Sequence, residues 1–200
     1  MITRGLSRIH RVIIGIQLRK MGLVLGNSVV FHGRPIVTLV PGSSISISDR
    51  VVLTSDSRRT ALGVARPIIL RTMSPAASIE IGAESGLSGT TICAVHSVRL
   101  GRRVLVGADV MIADTDFHPV DVYPRTHVPL PPGDPSDRID IEDDVFIGAR
   151  SIILKGVHIG AGSVIGAGSL VTKDIPAQVV AGGWPAKVLR PLMSADGSGA

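Results

Sequence analysis

Aliphatic residues recur at every sixth position through the C-terminal part of the chain. This series consists of Ile141, Ile147, Ile153, Ile159, Ile165 and Val171. A second series stands four residues later in each repeat: Val145, Ser151, Val157, Ser163, Ser169 and Ile175. Residues six apart in an extended chain project to the same side, whereas a helix would spread them around its circumference. A short fixed period is typical of a solenoid in which each repeat stacks on the last. The pattern predicts an all-β solenoid, a parallel β-helix with Ile and Val stacked in a narrow core.

The same period extends towards the N-terminus with small irregularities. Ile81, Leu87 and Cys93 keep the spacing, so Cys93 is predicted to point into the core. One extra residue then precedes Leu100, which predicts a slightly widened corner at residues 97–99. Residues 55–67 interrupt the pattern and are predicted to form a loop. Residues 117–138 are rich in proline and should form a loop ejected from the coil. Long loops on a regular scaffold often carry function.

The two ends of the chain differ from the repeat. Residues 2–21 predict a helix, because apolar residues recur at spacings of three and four and arginines occupy other faces. This N-terminal helix, assigned to residues 1–22, is expected to pack on the coil or on a neighbouring subunit, or to lie on an anionic membrane surface. The β-helix domain is predicted over residues 23–191. It ends in a turn at 182–185 and a short C-terminal helix at 186–193, and residues 192–200 are expected to be a disordered tail.

Composition narrows the class of protein. Aromatic residues make up only 2% of the chain, so the core must be aliphatic. The single cysteine rules out an intramolecular disulfide and favours a reducing compartment. The net charge of +5 raises the question of nucleic acid, but there is no basic stripe or aromatic stacking platform, so no nucleic-acid partner is expected. No apolar stretch is long enough to span a bilayer. We expect a cytoplasmic protein, or one peripheral to the inner membrane face if its helix binds lipid.

Four short motifs accompany the repeat. They are Ser-Gly-Thr-Thr-Ile-Cys at 88–93, Asp-Thr-Asp-Phe-His-Pro at 114–119, Asp-Asp-Val-Phe-Ile-Gly-Ala at 143–149 and Pro-Ala-Lys-Val-Leu-Arg at 185–190. Together they resemble the hexapeptide-repeat acyltransferases, in particular the maltose, galactoside and nodulation-factor O-acetyltransferases and the colanic-acid type of polysaccharide O-acetyltransferase. The resemblance implies a left-handed β-helix, a homotrimer and a histidine base. It also implies acetyl-CoA as the acyl donor, bound between adjacent coils, with no metal required.

The resemblance also implies catalytic residues. Attack of a hydroxyl on a thioester needs a base that removes the hydroxyl proton, and a neutral imidazole suits this role. His118 opens the ejected loop and coincides with the catalytic histidine of the family. Asp116 and Asp114 could orient the imidazole or bind sugar hydroxyls. Ser88 stands where related enzymes place a polar residue near the reacting carbonyl. The acceptor is expected to contact Asp114, Tyr123 and His127.

Cofactor binding is expected along the coils that follow the loop. Backbone groups next to glycine can approach the amides of a pantetheine arm closely, and cationic side chains can meet the CoA phosphates. The expected cofactor-binding residues are Gly148, Ala149, Gly166, Ala167, Thr172, Lys173, Lys187 and Arg190. The chain departs from the family at Phe146, where tryptophan is usual, and at Trp184, where asparagine is usual.

These residues predict an acyl-CoA-dependent O-acetyltransferase that acts on a hydroxyl of a sugar or a polysaccharide or glycoconjugate precursor. Two alternatives remain open. One is N-acetylation of a nucleotide-linked amino sugar, and the other is a non-catalytic β-helix scaffold. A zinc carbonic anhydrase on the same coil is a further class, but it needs three histidine ligands around one metal. His118 and His127 lack the close paired spacing which that class uses, so no metal site is predicted.

Overall fold

Short parallel strands build the body of the protein, and the computed structural model describes residues 12–124, 130 and 132–192. A helix, α1, spans residues 12–20. Three coils follow, with strands β1 (Val24–Leu25), β2 (Val30–His32), β3 (Ile36–Thr38), β4 (Ser44–Ile47), β5 (Val52–Thr54), β6 (Ile69–Thr72), β7 (Ser78–Ile81), β8 (Gly86–Ser88) and β9 (Thr91–Ala94). Three more contain β10 (Ser97–Leu100), β11 (Leu105–Val106), β12 (Met111–Ala113), β13 (Ile139–Ile141), β14 (Phe146–Ile147), β15 (Ile152–Ile153), β16 (His158–Ile159), β17 (Val164–Ile165) and β18 (Leu170–Val171). The last two strands of the described residues are β19 (Val179–Gly183) and β20 (Ala186–Pro191).

From β1 to β18, every third strand joins the same sheet, so each coil contributes one strand to each of three faces. Sheet A contains β1, β4, β7, β10, β13 and β16. Sheet B contains β2, β5, β8, β11, β14, β17, β19 and β20, and sheet C contains β3, β6, β9, β12, β15 and β18. We name the corners where the chain passes between faces A–B, B–C and C–A. Short 3₁₀ helices at Ser57–Arg59 and Pro135–Asp137 lie in the connections β5–β6 and β12–β13.

The six-residue repeat builds the core as predicted. Ile141 pairs with Ile159, Ile147 with Ile165 and Ile153 with Val171, and all of them are buried. The serines of the second series are buried at the corners, where their hydroxyls donate to backbone carbonyls. Ser163 Oγ lies 2.6 Å from the Pro176 carbonyl oxygen, and Ser169 Oγ lies 2.6 Å from that of Gly166. A small side chain fits the narrow corner, and its hydroxyl donates a hydrogen bond to a backbone carbonyl there.

The prediction that Cys93 points inward is wrong, because the coil slips by one residue before it. Ile92, not Cys93, pairs with the core residue Ile112. The corner at Gly89, where φ is +56°, is one residue shorter than in other coils. The next corner, at residues 95–96, is two residues longer, and residues 97–99 lie within β10. The two changes in corner length nearly cancel, so counting every sixth residue did not detect them. Cys93 lies beside Arg71 on the outer side of sheet C and is 8% exposed.

The two ends of the coil also differ in part from expectation. In α1, Ile14 and Leu18 are buried against the core, whereas Val12, Ile13 and Ile16 are exposed. Residues 1–11 and 193–200 lie outside the described residues. The predicted C-terminal helix is wrong: residues 186–191 form β20, which pairs antiparallel with β19 after the turn at 182–185. The free edge of β19 offers backbone partners that local helix propensity does not register. In the described part of the chain, no helix has the length and apolar character needed to cross a bilayer.

Candidate active site

The residues predicted for the site fall on two different edges of the coil. The C–A corner, where the ejected loop leaves β12 and returns to β13, carries Asp114, Asp116, His118, Thr172 and Lys173. The B–C corner carries Ser88, Gly148, Ala149, Gly166 and Ala167. The full width of sheet C separates the two corners. One protomer therefore does not bring its own His118 to its own B–C corner.

A groove of about 420 Å³ runs along the B–C corner. Its floor is made of successive Gly-Ala-X corners, which contribute Ala108, Asp109, Ala149, Arg150, Ala167 and Gly168. The glycines at positions 107 and 148 let the coils approach closely: a Cβ on Gly148 would lie 2.4 Å from the Ala167 nitrogen. The groove is therefore lined mainly by backbone and methyl groups.

The connection between β5 and β6 covers the N-terminal end of this groove. The backbone N–H of Ala65 donates to the Asp109 carboxylate, with N–O distances of 2.9 and 3.1 Å. Leu62 and Gly63 form part of the groove lining. Ser88 lies one coil above Asp109, and its carbonyl accepts the Asp109 N–H at 3.0 Å. Asp109 and Arg150 were missed from sequence, although the third position of each Gly-Ala-X corner could have identified them.

His118 is exposed on the ejected loop, just beyond a tight turn. Phe117 adopts a left-handed φ of +62°, and its N–H donates to Thr115 Oγ1 at 3.0 Å. The Asp116 carboxylate is engaged by Lys155, with Nζ–Oδ2 at 2.9 Å. Tyr123 is 87% exposed in the same loop, and His127 lies outside the described residues. The structure thus places Asp116 and His118 in one turn and Tyr123 farther along the loop.

Asp114 is buried and accepts hydrogen bonds from the backbone, whereas the sequence predicted that it contacts the acceptor. It is 1% exposed, and its carboxylate accepts the N–H groups of Val95 at 2.6 Å and His96 at 2.8 Å. These amides belong to the lengthened corner before β10, so Asp114 satisfies the backbone donors of that irregularity. Burial raises the pKa of the Asp114 carboxyl, and the hydrogen bonds from the backbone act against that rise. A side chain this buried has no free surface for a sugar hydroxyl.

The C-terminal hairpin continues the B–C corner beyond Gly168. Because Ile165 pairs with Ala181, Trp184 occupies the position that follows Gly168 in the stack. Trp184 is 67% exposed. Lys187 pairs with Gly182 across the hairpin, and Arg190 pairs with Val180. Lys187 and Arg190 are thus placed near the C-terminal end of the groove, whereas Thr172 and Lys173 are placed on the edge that carries His118.

The outer faces of the coil differ in polarity. Sheet A carries a polar row of Glu80, Arg99, Asp140 and His158. Sheet B carries Leu105, Phe146 and Val164, and sheet C carries Met111, Ile152 and Leu170. Leu105 is 54% exposed and Phe146 is 45% exposed. A contiguous row of exposed apolar side chains is unusual on a protein surface and is typical of an interaction site. Two adjacent faces are therefore apolar, and the third is polar. Among the described residues, no group of three or more His, Cys, Asp or Glu side chains could hold a metal ion.

Comparison with known proteins begins with the repeat itself. A family model described as the hexapeptide repeat of succinyl-transferase matches residues 138–173. The galactoside O-acetyltransferase of Escherichia coli (strain K12) is 42% identical over 106 residues, which is 53% of this chain and 50% of that protein. A 2,3,4,5-tetrahydropyridine-2,6-dicarboxylate N-acetyltransferase of Clostridium perfringens (strain SM101 / Type A) is 60% identical over 50 residues, which is 25% of this chain and 21% of that protein. The chain thus spans half or less of the length of these curated relatives.

Solved structures extend the similarity. A hexapeptide-repeat-containing acetyltransferase from Vibrio cholerae is 31% identical with a TM-score of 0.52, covering 62% of this chain and 70% of that chain. The chain belongs to the hexapeptide-repeat acyltransferases. A galactoside acetyltransferase in complex with coenzyme A is 26% identical with a TM-score of 0.54, covering 84% of this chain and 64% of that chain. The predicted left-handed β-helix, which is the fold of the hexapeptide-repeat family, is confirmed.

Proposed function

We propose that the protein transfers an acetyl group from acetyl-CoA to a hydroxyl group of a sugar or of a polysaccharide precursor. The observation that carries the proposal is the B–C groove, whose floor of backbone and small side chains suits a linear amide chain. The carbonyls of Ala108 and Ala149 accept N–H groups from Arg150 and Gly168. Among the described residues, no N–H donates to the Ala167 carbonyl. That carbonyl is therefore an open acceptor for an amide N–H of a pantetheine arm.

The order of the candidate residues along the groove supports one direction of cofactor binding. His118 follows the fourth coil, and Ser88 lies in the third, so the thioester is placed towards the N-terminal end. The nucleotide is placed towards the hairpin, where Lys187 and Arg190 can donate to phosphates. Trp184 is the only tryptophan of the chain. CoA bound in this direction is expected to change the fluorescence of Trp184.

In the reaction, an imidazole nitrogen of His118 takes the proton of the acceptor hydroxyl as its oxygen attacks the thioester carbonyl. The C–S bond then breaks, and the leaving thiolate of CoA takes the proton from the His118 imidazolium, which regenerates the neutral base. General-base catalysis contributes roughly 10²- to 10⁴-fold to the rate. We therefore expect His118→Ala to lower kcat by this factor, while CoA changes the Trp184 fluorescence of the variant as it does that of the wild type. Wild-type-like turnover in His118→Ala, measured by thiol release, would show that His118 is not the base.

The nature of the acceptor atom needs its own test. The proposal of a hydroxyl acceptor is supported by the match to the galactoside O-acetyltransferase, which is 42% identical over 106 residues, whereas an N-acetyltransferase of Staphylococcus aureus (strain JH9) is 39% identical over 90 residues. We propose a screen of sugars, oligosaccharides and nucleotide-linked amino sugars with acetyl-CoA, followed by treatment of the products with hydroxylamine. An ester is cleaved by hydroxylamine, and an amide is not. Products that resist cleavage would favour the N-acetyltransferase alternative.

We further propose that the active site lies between two protomers of a homotrimer. A closed ring joins each subunit to its neighbours through two different surfaces, and sheets B and C supply two adjacent apolar faces. In such a ring His118 of one protomer can meet the groove of the next. Phe146→Glu is expected to shift the mass measured by light scattering to that of a monomer, and Glu80→Gln on the polar face is the control. An unchanged trimer in Phe146→Glu, or a monomeric wild type, would contradict this arrangement.

Subunit mixing tests the shared site directly. His118→Ala removes the base, and Ala167→Trp fills the groove. If each site uses His118 from one protomer and the groove from another, randomly mixed trimers recover about a quarter of the wild-type activity. Mixtures that stay inactive after exchange of subunits would place both parts in the same protomer.

A further inference from the structure

A single lysine closes the base of the ejected loop. Lys155 lies in the corner that follows β15, one coil beyond the loop. Its Nζ is 2.9 Å from Asp116 Oδ2 on the outgoing arm and 3.3 Å from Asp137 Oδ1 on the returning arm. Asp116 precedes His118 by two residues. One cation therefore connects the two arms of the loop directly beside the proposed base.

The returning arm is anchored by backbone hydrogen bonds. The Gly156 N–H donates to the Asp137 carbonyl at 2.8 Å. Asp134 caps the 3₁₀ helix Pro135–Asp137, because its carboxylate accepts the Ser136 N–H at 2.8 Å. The outgoing arm is tied to this anchor through Lys155. The ion pairs of Lys155 thus fix the turn that carries His118 relative to the anchored corner.

The ion pairs are too exposed to matter much for stability. The Lys155 side chain is 38% exposed, that of Asp116 is 41% exposed, and that of Asp137 is 23% exposed. Pairs with this exposure stabilise a fold only slightly. The hydrogen bond to Asp116 is the main reason that the pKa of Lys155 is raised, so the lysine stays charged at neutral pH. The position of a base matters far more, because a misplacement of about 1 Å can lower turnover by roughly 100-fold.

We propose that Lys155 is a positioning residue, which holds His118 in its catalytic place by clamping Asp116 to Asp137. This inference rests on the proposed role of His118 as general base. It assigns Asp116 to loop geometry and leaves the proton transfer to His118 alone.

The test compares two lysine variants with a matched control. Lys155→Met removes the charge but keeps much of the side chain, and Lys155→Arg retains a cation that can reach both carboxylates. Arg103→Met is the control, because Arg103 is 40% exposed and pairs with Asp144 at the A–B corner, away from the loop. We expect kcat to fall roughly 10- to 100-fold in Lys155→Met. The KM for acetyl-CoA and the thermal midpoint should change no more than in Arg103→Met, and Lys155→Arg should recover most of the activity.

A second readout does not depend on catalysis. Amide hydrogen exchange in residues 114–124 should be faster in Lys155→Met than in the wild type, and unchanged in Arg103→Met. Unchanged exchange in this segment, or a kcat of Lys155→Met equal to that of the control, would overturn the inference. If the wild type transfers no acetyl group but the loop of Lys155→Met exchanges faster, the clamp stands and the proposed function fails.

Discussion

Two glycines in equivalent positions allow a sharp test of how closely the coils stack. Gly148 and Gly166 follow Ile147 and Ile165, which pair with each other in sheet B. A Cβ added to Gly148 would lie 2.4 Å from the Ala167 nitrogen and 2.7 Å from its Cα. A Cβ on Gly166 would meet nothing closer than the Ala181 oxygen at 3.6 Å. Gly166 faces no further Gly-Ala-X corner, because after Ala181 the chain continues along β19 into the hairpin. Gly148→Ala and Gly166→Ala therefore differ mainly in how closely the added methyl group approaches neighbouring backbone atoms.

The expected cost follows from these distances. Ordinary contact begins at 3.4 Å, so the methyl group of Gly148→Ala falls short of it by 1.0 Å (3.4 minus 2.4). Relief requires the next coil to move, although the Gly148 N–H donates to the Ile165 carbonyl at 2.7 Å. Overpacking costs about 1–3 kcal/mol, and a weakened hydrogen bond adds about 0.5–1 kcal/mol. The lower entropy of the unfolded chain with alanine returns about 0.4–1 kcal/mol. We expect a net loss of about 2 kcal/mol in Gly148→Ala, and a gain of about 0.5 kcal/mol in Gly166→Ala.

Thermal and denaturant unfolding measure both variants. For a chain of this size, 1 kcal/mol corresponds to a change in Tm of roughly 2–4 °C. Gly148→Ala should therefore melt about 4–8 °C below the wild type, and Gly166→Ala at or slightly above it. Equal shifts in the two variants would mean that glycine is not required by close stacking of the coils.

Three further predictions concern buried residues. Ile153→Val should cost about 1 kcal/mol and Ile153→Ala about 2–5 kcal/mol in denaturant unfolding, since Ile153 is fully buried in the stack; similar costs for both would argue against tight packing. Because burial raises the pKa of Asp114 above 3.8, its contribution to stability is complete below that pH and is lost as pH rises through the raised value. The stability of the wild type minus that of Asp114→Asn should therefore decrease as pH rises above 3.8, and a constant difference would contradict the raised pKa. Burial also raises the pKa of the Cys93 thiol, so a disulfide reagent should modify Cys93 only as the protein unfolds, and fast labelling of the native protein would be the contrary result.

The regular coils were predictable because their period leaves only one arrangement. From Ile141 to Val171 each inward residue follows from an unbroken count of six. The count failed at Cys93, because one shortened corner and one lengthened corner changed the register without breaking the overall period. It also could not foresee β20, since the partner that makes residues 186–191 a strand is the edge of β19.

The candidate site was predictable by residue type but not by arrangement. The break in the repeat made His118 a candidate base, and the small residues after it predicted a cofactor groove, which stays a prediction. The placement of His118 and the groove on different edges of the coil could not be predicted, because it depends on the number of strands between them. The sequence also predicted that Asp114 contacts the acceptor, whereas its carboxylate accepts hydrogen bonds from the backbone N–H groups of Val95 and His96. Lys155 was overlooked because its two partners stand 21 residues apart in sequence (137 minus 116).

The antiparallel direction of β20 has a consequence for self-assembly. A stack of parallel coils could in principle continue from one molecule into another, because its last strand offers free N–H and C=O groups in the direction that a new coil needs. In sheet B, β20 occupies the position of the next parallel strand and reverses the chain direction. It also ends in Pro191, which lacks an N–H to donate. The β19–β20 hairpin thus blocks the addition of a further parallel strand to sheet B, and a protein shortened to Gly183 should be more prone to end-to-end fibre growth.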